Sequence, residues 1–220
     1  MRCPVDKKSM FQHIRDPASA AIAGIIFSVI LMVVLAQFHA AVPAGIATTE
    51  WLEESSRRGG VQVAVGLIPF AGIAFLWFIG VIRTRLGSRE DKLFATVFLG
   101  SGLLFVAILF IAGSILATLL TLYSRGFAVD ADAMVLLTVL TKSMMGMFGF
   151  RMAAVFTLSV TSLGLRTRLL PRWLVGLGYL TAIVLLLSPP VSPWSQLLFP
   201  TWVLAFSVHT LVARGEPGAP

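Results

Sequence analysis

Long uncharged apolar stretches alternate along the chain with short segments that carry most of its polar residues. The stretches cover about residues 18–42, 61–82, 93–122, 133–165, 173–188 and 195–212. Within each, apolar residues run continuously. There is neither the one-sided stripe of a soluble helix nor the two-residue alternation of a strand. A hydrocarbon core about 30 Å thick needs roughly 20 apolar residues at a rise of about 1.5 Å each. The pattern therefore predicts an all-α transmembrane helix bundle with six spans.

The fourth stretch is too short for two crossings and a turn, and reads as one tilted helix that extends beyond the hydrocarbon. The fifth is short, and Pro189, Pro190 and Pro193 force a non-helical turn after it. The first exceeds the roughly 7–15 apolar residues of a signal-peptide core, and so reads as a retained span.

Basic residues give the orientation. Arg2, Lys7, Lys8 and Arg15 precede span one, and Arg83, Arg85, Arg89 and Lys92 follow span two. Arg166, Arg168 and Arg172 follow span four, and Arg214 follows span six. Those twelve share one side of the membrane, whereas only Arg57, Arg58 and Arg125 fall on the other. Lys and Arg concentrate in cytoplasmic loops, so both termini are expected in the cytoplasm. The expected organisation is a cytoplasmic tail over 1–17, a membrane domain over 18–213 and a cytoplasmic tail over 214–220. The expected location is the bacterial cytoplasmic (inner) membrane, multi-pass.

Composition narrows the function classes. Hydrophobic residues make up 57% of the chain and charged ones 12%, against about 25% charged in a soluble domain. The net charge of +7 is spread over short loops and builds no contiguous basic face, so nucleic acid is not expected as a partner. Cys3 is the single cysteine, which excludes an intrachain disulfide and a metal site of paired thiolates.

The lipid bilayer is the first expected partner. Met10, Phe11 and Ile14 beside Lys7, Lys8 and Arg15 suit an anionic inner leaflet. The segment Glu50-Trp51-Leu52-Glu53-Glu54 suits a short helix anchored at the outer interface. Trp51, Trp77, Trp173, Trp194 and Trp202 are placed mostly near the interfaces. Ala20, Gly24 and Ser28 form a small-residue row for close helix approach. Bends are expected at Gly66 and Pro69 and at Pro200.

Two charges lie inside predicted spans, Lys142 and Arg151, both in span four, and no Asp or Glu accompanies them. Each costs about 2.5–3.5 kcal/mol at mid-bilayer, so both are candidate contacts for an anion or a lipid. Nine residues of α-helix separate them, which puts them about half a turn out of phase. Lys142 is expected to snorkel to the outer interface, with Glu50, Glu53, Glu54, Asp130 and Asp132 as possible partners. Arg151 lies deeper, beside Gly146 and Gly149. Its options are backbone carbonyls, a lipid phosphate or partner acid, or an anionic substrate.

Other chemistry is thinner. Met144, Met145, Met147 and Met152 read as apolar filler before a copper site. His39 and His209 fall at opposite ends of the bundle and do not share a haem. Gly100-Ser101-Gly102 lies in span three, whereas an intramembrane serine protease needs its nucleophile in span four. No catalytic residue, cofactor or metal site is assigned.

Two groups of strings resemble small polytopic proteins of actinobacteria. One is Leu76-Trp77-Phe78-Ile79-Gly80-Val81-Ile82-Arg83 with Phe94-Ala95-Thr96-Val97-Phe98-Leu99-Gly100-Ser101-Gly102-Leu103-Leu104-Phe105. The other is Arg151-Met152-Ala153-Ala154-Val155-Phe156 with Leu169-Leu170-Pro171-Arg172-Trp173-Leu174. The resemblance implies an integral membrane protein and carries no catalytic residue with it. The leading functional expectation is a non-enzymatic membrane protein, accessory to membrane proteins or lipids. The alternative is a small transporter or channel for an anionic or amphiphilic solute, with Arg151 as the binding cation.

Overall fold

In a bilayer each backbone N–H and C=O needs a partner within its own segment, which leaves the helix as the available form for these stretches. In a computed structural model of the chain, the described residues are all-helical with no strand. They are 17–42, 50–86, 92–127, 130–167, 170–188 and 192–212. The helices are α1 (Pro17–Ala41), α2 (Glu50–Glu53), α3 (Ser55–Leu86), α4 (Lys92–Ser124), α5 (Ala131–Ser143), α6 (Phe150–Arg166), α7 (Arg172–Leu187) and α8 (Pro193–Val212). A π-helical turn, Met144–Gly149, joins α5 to α6. The amphipathic segment expected around Met10–Ile14 lies outside the described residues.

Many hydroxyls inside these apolar helices are satisfied locally, while those of Thr161 and Ser207 are buried without a hydrogen-bond partner. Ser28 donates to the Gly24 carbonyl at 2.7 Å, Thr157 to Ala153 at 2.8 Å and Thr201 to Leu197 at 2.7 Å. Each bond spans four residues, so the hydroxyl is hidden from lipid without a partner on another helix. Helix α4 ends where Gly126 takes a φ of +67°. Phe127 N–H then reaches the Leu122 carbonyl and Gly126 N–H the Tyr123 carbonyl, a Schellman stop that glycine makes available. Helices α3 and α8 run on through Pro69 and Pro200.

Five helical segments are long and apolar enough to cross a membrane: Ala21–Ala41, Ser55–Arg83, Ala95–Ser124, Ala131–Arg166 and Trp194–Val212. The chain is thus built as a multi-pass membrane protein. Helix α7, of 16 residues, spans about 24 Å at 1.5 Å per residue, short of a full hydrocarbon core.

The helices close into a ring. Helix α1 packs on α3 and α8, α3 on α4, α4 on the α5–π–α6 rod, α6 on α7, and α7 back on α8. Close approaches along the ring need small residues. A Cβ on Gly24 would collide with Ser207 and Phe78, and one on Gly178 with Thr161 and Trp202. The Gly24 approach sits within the small-residue row expected from sequence, and Gly102 likewise accommodates Ile79 and Phe156.

Five phenylalanines from five helices fill the axis of the ring. Phe27 of α1, Phe75 of α3, Phe105 of α4, Phe156 of α6 and Phe199 of α8 are each fully buried. Phe75 touches the other four, with ring centroids 4.4 Å from Phe27, 5.0 Å from Phe156, 5.5 Å from Phe105 and 5.8 Å from Phe199. Most of these pairs are tilted or edge-on, the arrangements that ring quadrupoles favour. Lipid tails are as apolar as the rings, so what holds this hub is dense packing more than solvent exclusion.

Helix α3 starts at Ser55, ahead of the apolar run 61–82, and takes Arg57 and Arg58 into its first turns. Trp51 and Trp202 are buried within the protein, at 2% and 0% exposure, whereas Trp77, Trp173 and Trp194 are exposed. The short helix expected at 50–54 forms as α2, and it acts as a plug. Trp51 and Leu52 turn inward onto Ala41, Val42, Val61, Leu116 and Leu119. Arg58 fastens the plug by donating to the Leu52 carbonyl at 2.6 Å while lying 5.1 Å from the Tyr123 ring centroid. Arg57 pairs with Glu54 at 2.6 Å.

Candidate functional site

A cavity of about 60 Å3 lies between the phenylalanine hub and the Trp51 plug. Its floor follows from helix periodicity: Leu31 and Leu109 stand one turn beyond the hub residues Phe27 and Phe105. Its roof is formed by Phe38, Val42 and Leu116, which also pack in the cluster around Trp51. Ala64 and Ile68 of α3 close one side, and Thr141, Lys142 and Met145 of the rod face them.

Four of the lining residues are polar: His39, Thr141, Lys142 and Gln196. His39 Nε2 donates to Gln196 Oε1 at 3.1 Å, tying the end of α1 to the beginning of α8. Thr141 donates its hydroxyl to the Leu137 carbonyl of its own helix at 2.9 Å. Lys142 is half-buried in the wall. The cavity is therefore an apolar slot whose lining includes one lysine and the hydrogen-bonded His39–Gln196 pair.

The two intramembrane cations have separate settings. Lys142 lines the cavity; Arg151 is not among its lining residues. Arg151 instead donates from Nη1 to the Met147 carbonyl at 2.6 Å. That carbonyl belongs to the π turn, whose C-terminal bond runs from Phe150 N–H to the Met145 carbonyl, five residues back. A carbonyl oxygen has two lone pairs, and a guanidinium is a strong, charged donor to one of them.

The π turn also corrects the phase read from sequence. It holds about one residue more per turn than an α-helix, so Lys142 and Arg151 stand about 80° apart in phase, not half a turn. The signal was slight, since a π turn has no composition of its own. Gly146 and Gly149 within it are both buried.

Among the remaining sequence candidates, Met145 lines the cavity and Met147 is exposed. Ser101 bonds the Val97 and Phe98 carbonyls of its own helix at 2.7 and 3.1 Å. His209 rests against the Trp173 ring, far in the fold from the His39–Gln196 pair. No group of three or more His, Cys, Asp or Glu residues suited to a metal occurs among the described residues. Gln196 was missed in the sequence. Its one sign is an amide at the start of an otherwise apolar stretch.

No protein-family model, curated protein or solved structure matches the chain. What the site does is therefore argued from its own geometry.

Proposed function

We propose that the chain is a non-enzymatic, six-span protein of the bacterial cytoplasmic membrane that holds one amphiphilic molecule, with its apolar part in the cavity and its anionic head at Lys142. The observation that carries this reading is the lining itself: a slot of Leu, Ile, Val and Met side chains with Lys142 and the His39–Gln196 pair on its rim. An amphiphile is complementary to that lining in both respects, an apolar tail to the Leu, Ile, Val and Met side chains and an anionic head to the ammonium.

Six crossings with both termini in the cytoplasm fit this reading. The segments joining α6 to α7 and α7 to α8 are short, which favours antiparallel neighbours. The basic residues of alternate loops then fall together on one side. The hub argues for holding over conduction. Five buried rings close the axis below the cavity, so a continuous path would require them to part. An accessory role toward lipids follows from holding. Arg151, bonded to the π turn, serves the shape of the rod in this reading.

The test is native mass spectrometry of the protein extracted in its own lipids, as wild type, Lys142→Gln and Arg151→Gln. One retained anionic amphiphile per chain is expected in the wild type and in Arg151→Gln, with most of it gone in Lys142→Gln. Equal retention in all three removes the proposed role of Lys142.

A further inference from the structure

The rod of α5, π turn and α6 is packed unevenly along its length. Ten of the seventeen residues of α6 are buried, the large side chains of Phe150, Phe156 and Leu163 among them. On α5 two of thirteen are buried, Thr138 and Thr141. Both are small, and each spends its hydroxyl on its own helix, at 2.9 Å to the Met134 and Leu137 carbonyls. Helix α6 packs on α4, α7 and α8, whereas α5 packs chiefly on α4. Met134 and Leu137 of α5 also reach the cluster around Trp51. One half of the rod is thus gripped on several sides and the other mainly on one.

The change falls at the π turn. On its α5 side, Met144 N–H is shared between the Leu140 and Thr141 carbonyls; on its α6 side, Phe150 N–H reaches five residues back to Met145. Such turns are among the few places where a helix bends sharply. Gly146 and Gly149 lie within this one and widen its backbone range. Arg151 braces the α6 side through its bond to the Met147 carbonyl.

We propose that the π turn is a hinge on which α5 pivots as a unit while α6 stays fixed in the ring. Thr141 and Lys142 line the cavity, and Met134 and Leu137 pack on the cluster that roofs it. One pivot therefore widens the slot and loosens its roof, which makes α5 the gate of the cavity. The gate rests on the holding function proposed above, whereas the pivot needs no ligand. Leu136 stands about 16 Å from the middle of the turn. A kink of about 20° displaces it by about 6 Å, and Leu140 by about 4 Å.

The test is double electron–electron resonance on the full chain in lipid nanodiscs, in a Cys3→Ser background. Nitroxide pairs share one label at Ile73→Cys on α3. The second is at Leu136→Cys, Leu140→Cys or Leu158→Cys, all exposed positions. Leu136 and Leu158 stand equally far from Met147 on its two sides. The Leu158 pair is expected to give one narrow distance distribution. The Leu136 pair should be broader by up to about 6 Å, and the Leu140 pair intermediate. Equal widths at Leu136 and Leu158, both narrow or both broad, overturn the hinge. A Leu140 pair broader than the Leu136 pair overturns it too. A tenfold excess of oleate should then narrow the Leu136 distribution. An unchanged width in protein that retains oleate by mass spectrometry overturns the gate. Retention of none removes the holding function and the gate with it, while the contrast between Leu136 and Leu158 still decides the hinge.

Discussion

His39 and Gln196, 157 residues apart in sequence, meet through a 3.1 Å hydrogen bond from Nε2 to Oε1 at the rim of the cavity. The bond joins the end of the first long helix to the start of the last, so it closes the ring where the apolar clusters thin out. Gln196 is 8% exposed, and an apolar residue at either position removes one hydrogen bond from a buried amide or imidazole. His39→Leu or Gln196→Leu should lower unfolding stability in lipid nanodiscs by about 1–3 kcal/mol. The double variant should lose less than the sum of the two. Strict additivity in that cycle contradicts a working bond between them.

Arg151 and Lys142 should separate experimentally. Arg151→Gln removes a charged donor from the Met147 carbonyl and should cost about 1.5–3 kcal/mol in stability without changing what the cavity retains. Lys142→Gln should do the reverse, lowering ligand retention with little loss of stability. Paired chemical unfolding and retained-ligand assays on both variants read this out. A loss of ligand in Arg151→Gln at unchanged stability would return the binding role to Arg151.

The phenylalanine hub predicts a sharp positional contrast. Phe75→Ala removes a ring that touches four others, and should cost about 3–5 kcal/mol through lost contacts and an unfilled void. Phe70, on the same helix and 61% exposed, faces outward. Phe70→Ala should change stability by under about 0.5 kcal/mol. Similar losses at the two positions contradict a hub that organises the ring.

Much of this architecture was legible in the sequence because apolar length is a direct physical requirement of the bilayer. The long helices appear where uncharged runs appear, and Gly24 sits at a close contact as its small-residue row implied. What escaped was decided by tertiary packing. Trp51 has acidic neighbours that suggest an interface, yet the turn at α2 buries it in the Val61–Leu119 cluster. Trp202 looks like any interfacial tryptophan, but Gly178 leaves the room that buries it, with its indole N–H toward the Leu174 carbonyl. The register of the π turn and the His39–Gln196 pairing depend on contacts between distant segments, which no local pattern encodes.

The arrangement of spans is open to a chemical test. In a Cys3→Ser background, single cysteines at 83, 125 and 172 replace arginines that are all exposed. With six crossings and cytoplasmic termini, a membrane-impermeant maleimide should label Arg125→Cys in intact cells. Arg83→Cys and Arg172→Cys should react only after permeabilisation. Labelling of Arg172→Cys and Arg83→Cys from opposite sides contradicts the arrangement.

The central claim is that the slot beneath the Trp51 plug holds an amphiphile, and the most direct measurement is an experimental structure determined with native lipids retained. The expected result is one elongated density running between Leu31, Ile68 and Leu109, with its head within about 3.2 Å of Lys142 Nζ, a charged hydrogen-bond distance. A slot that is collapsed, or filled only by discrete waters while lipid stays on the outer surface of the ring, contradicts it.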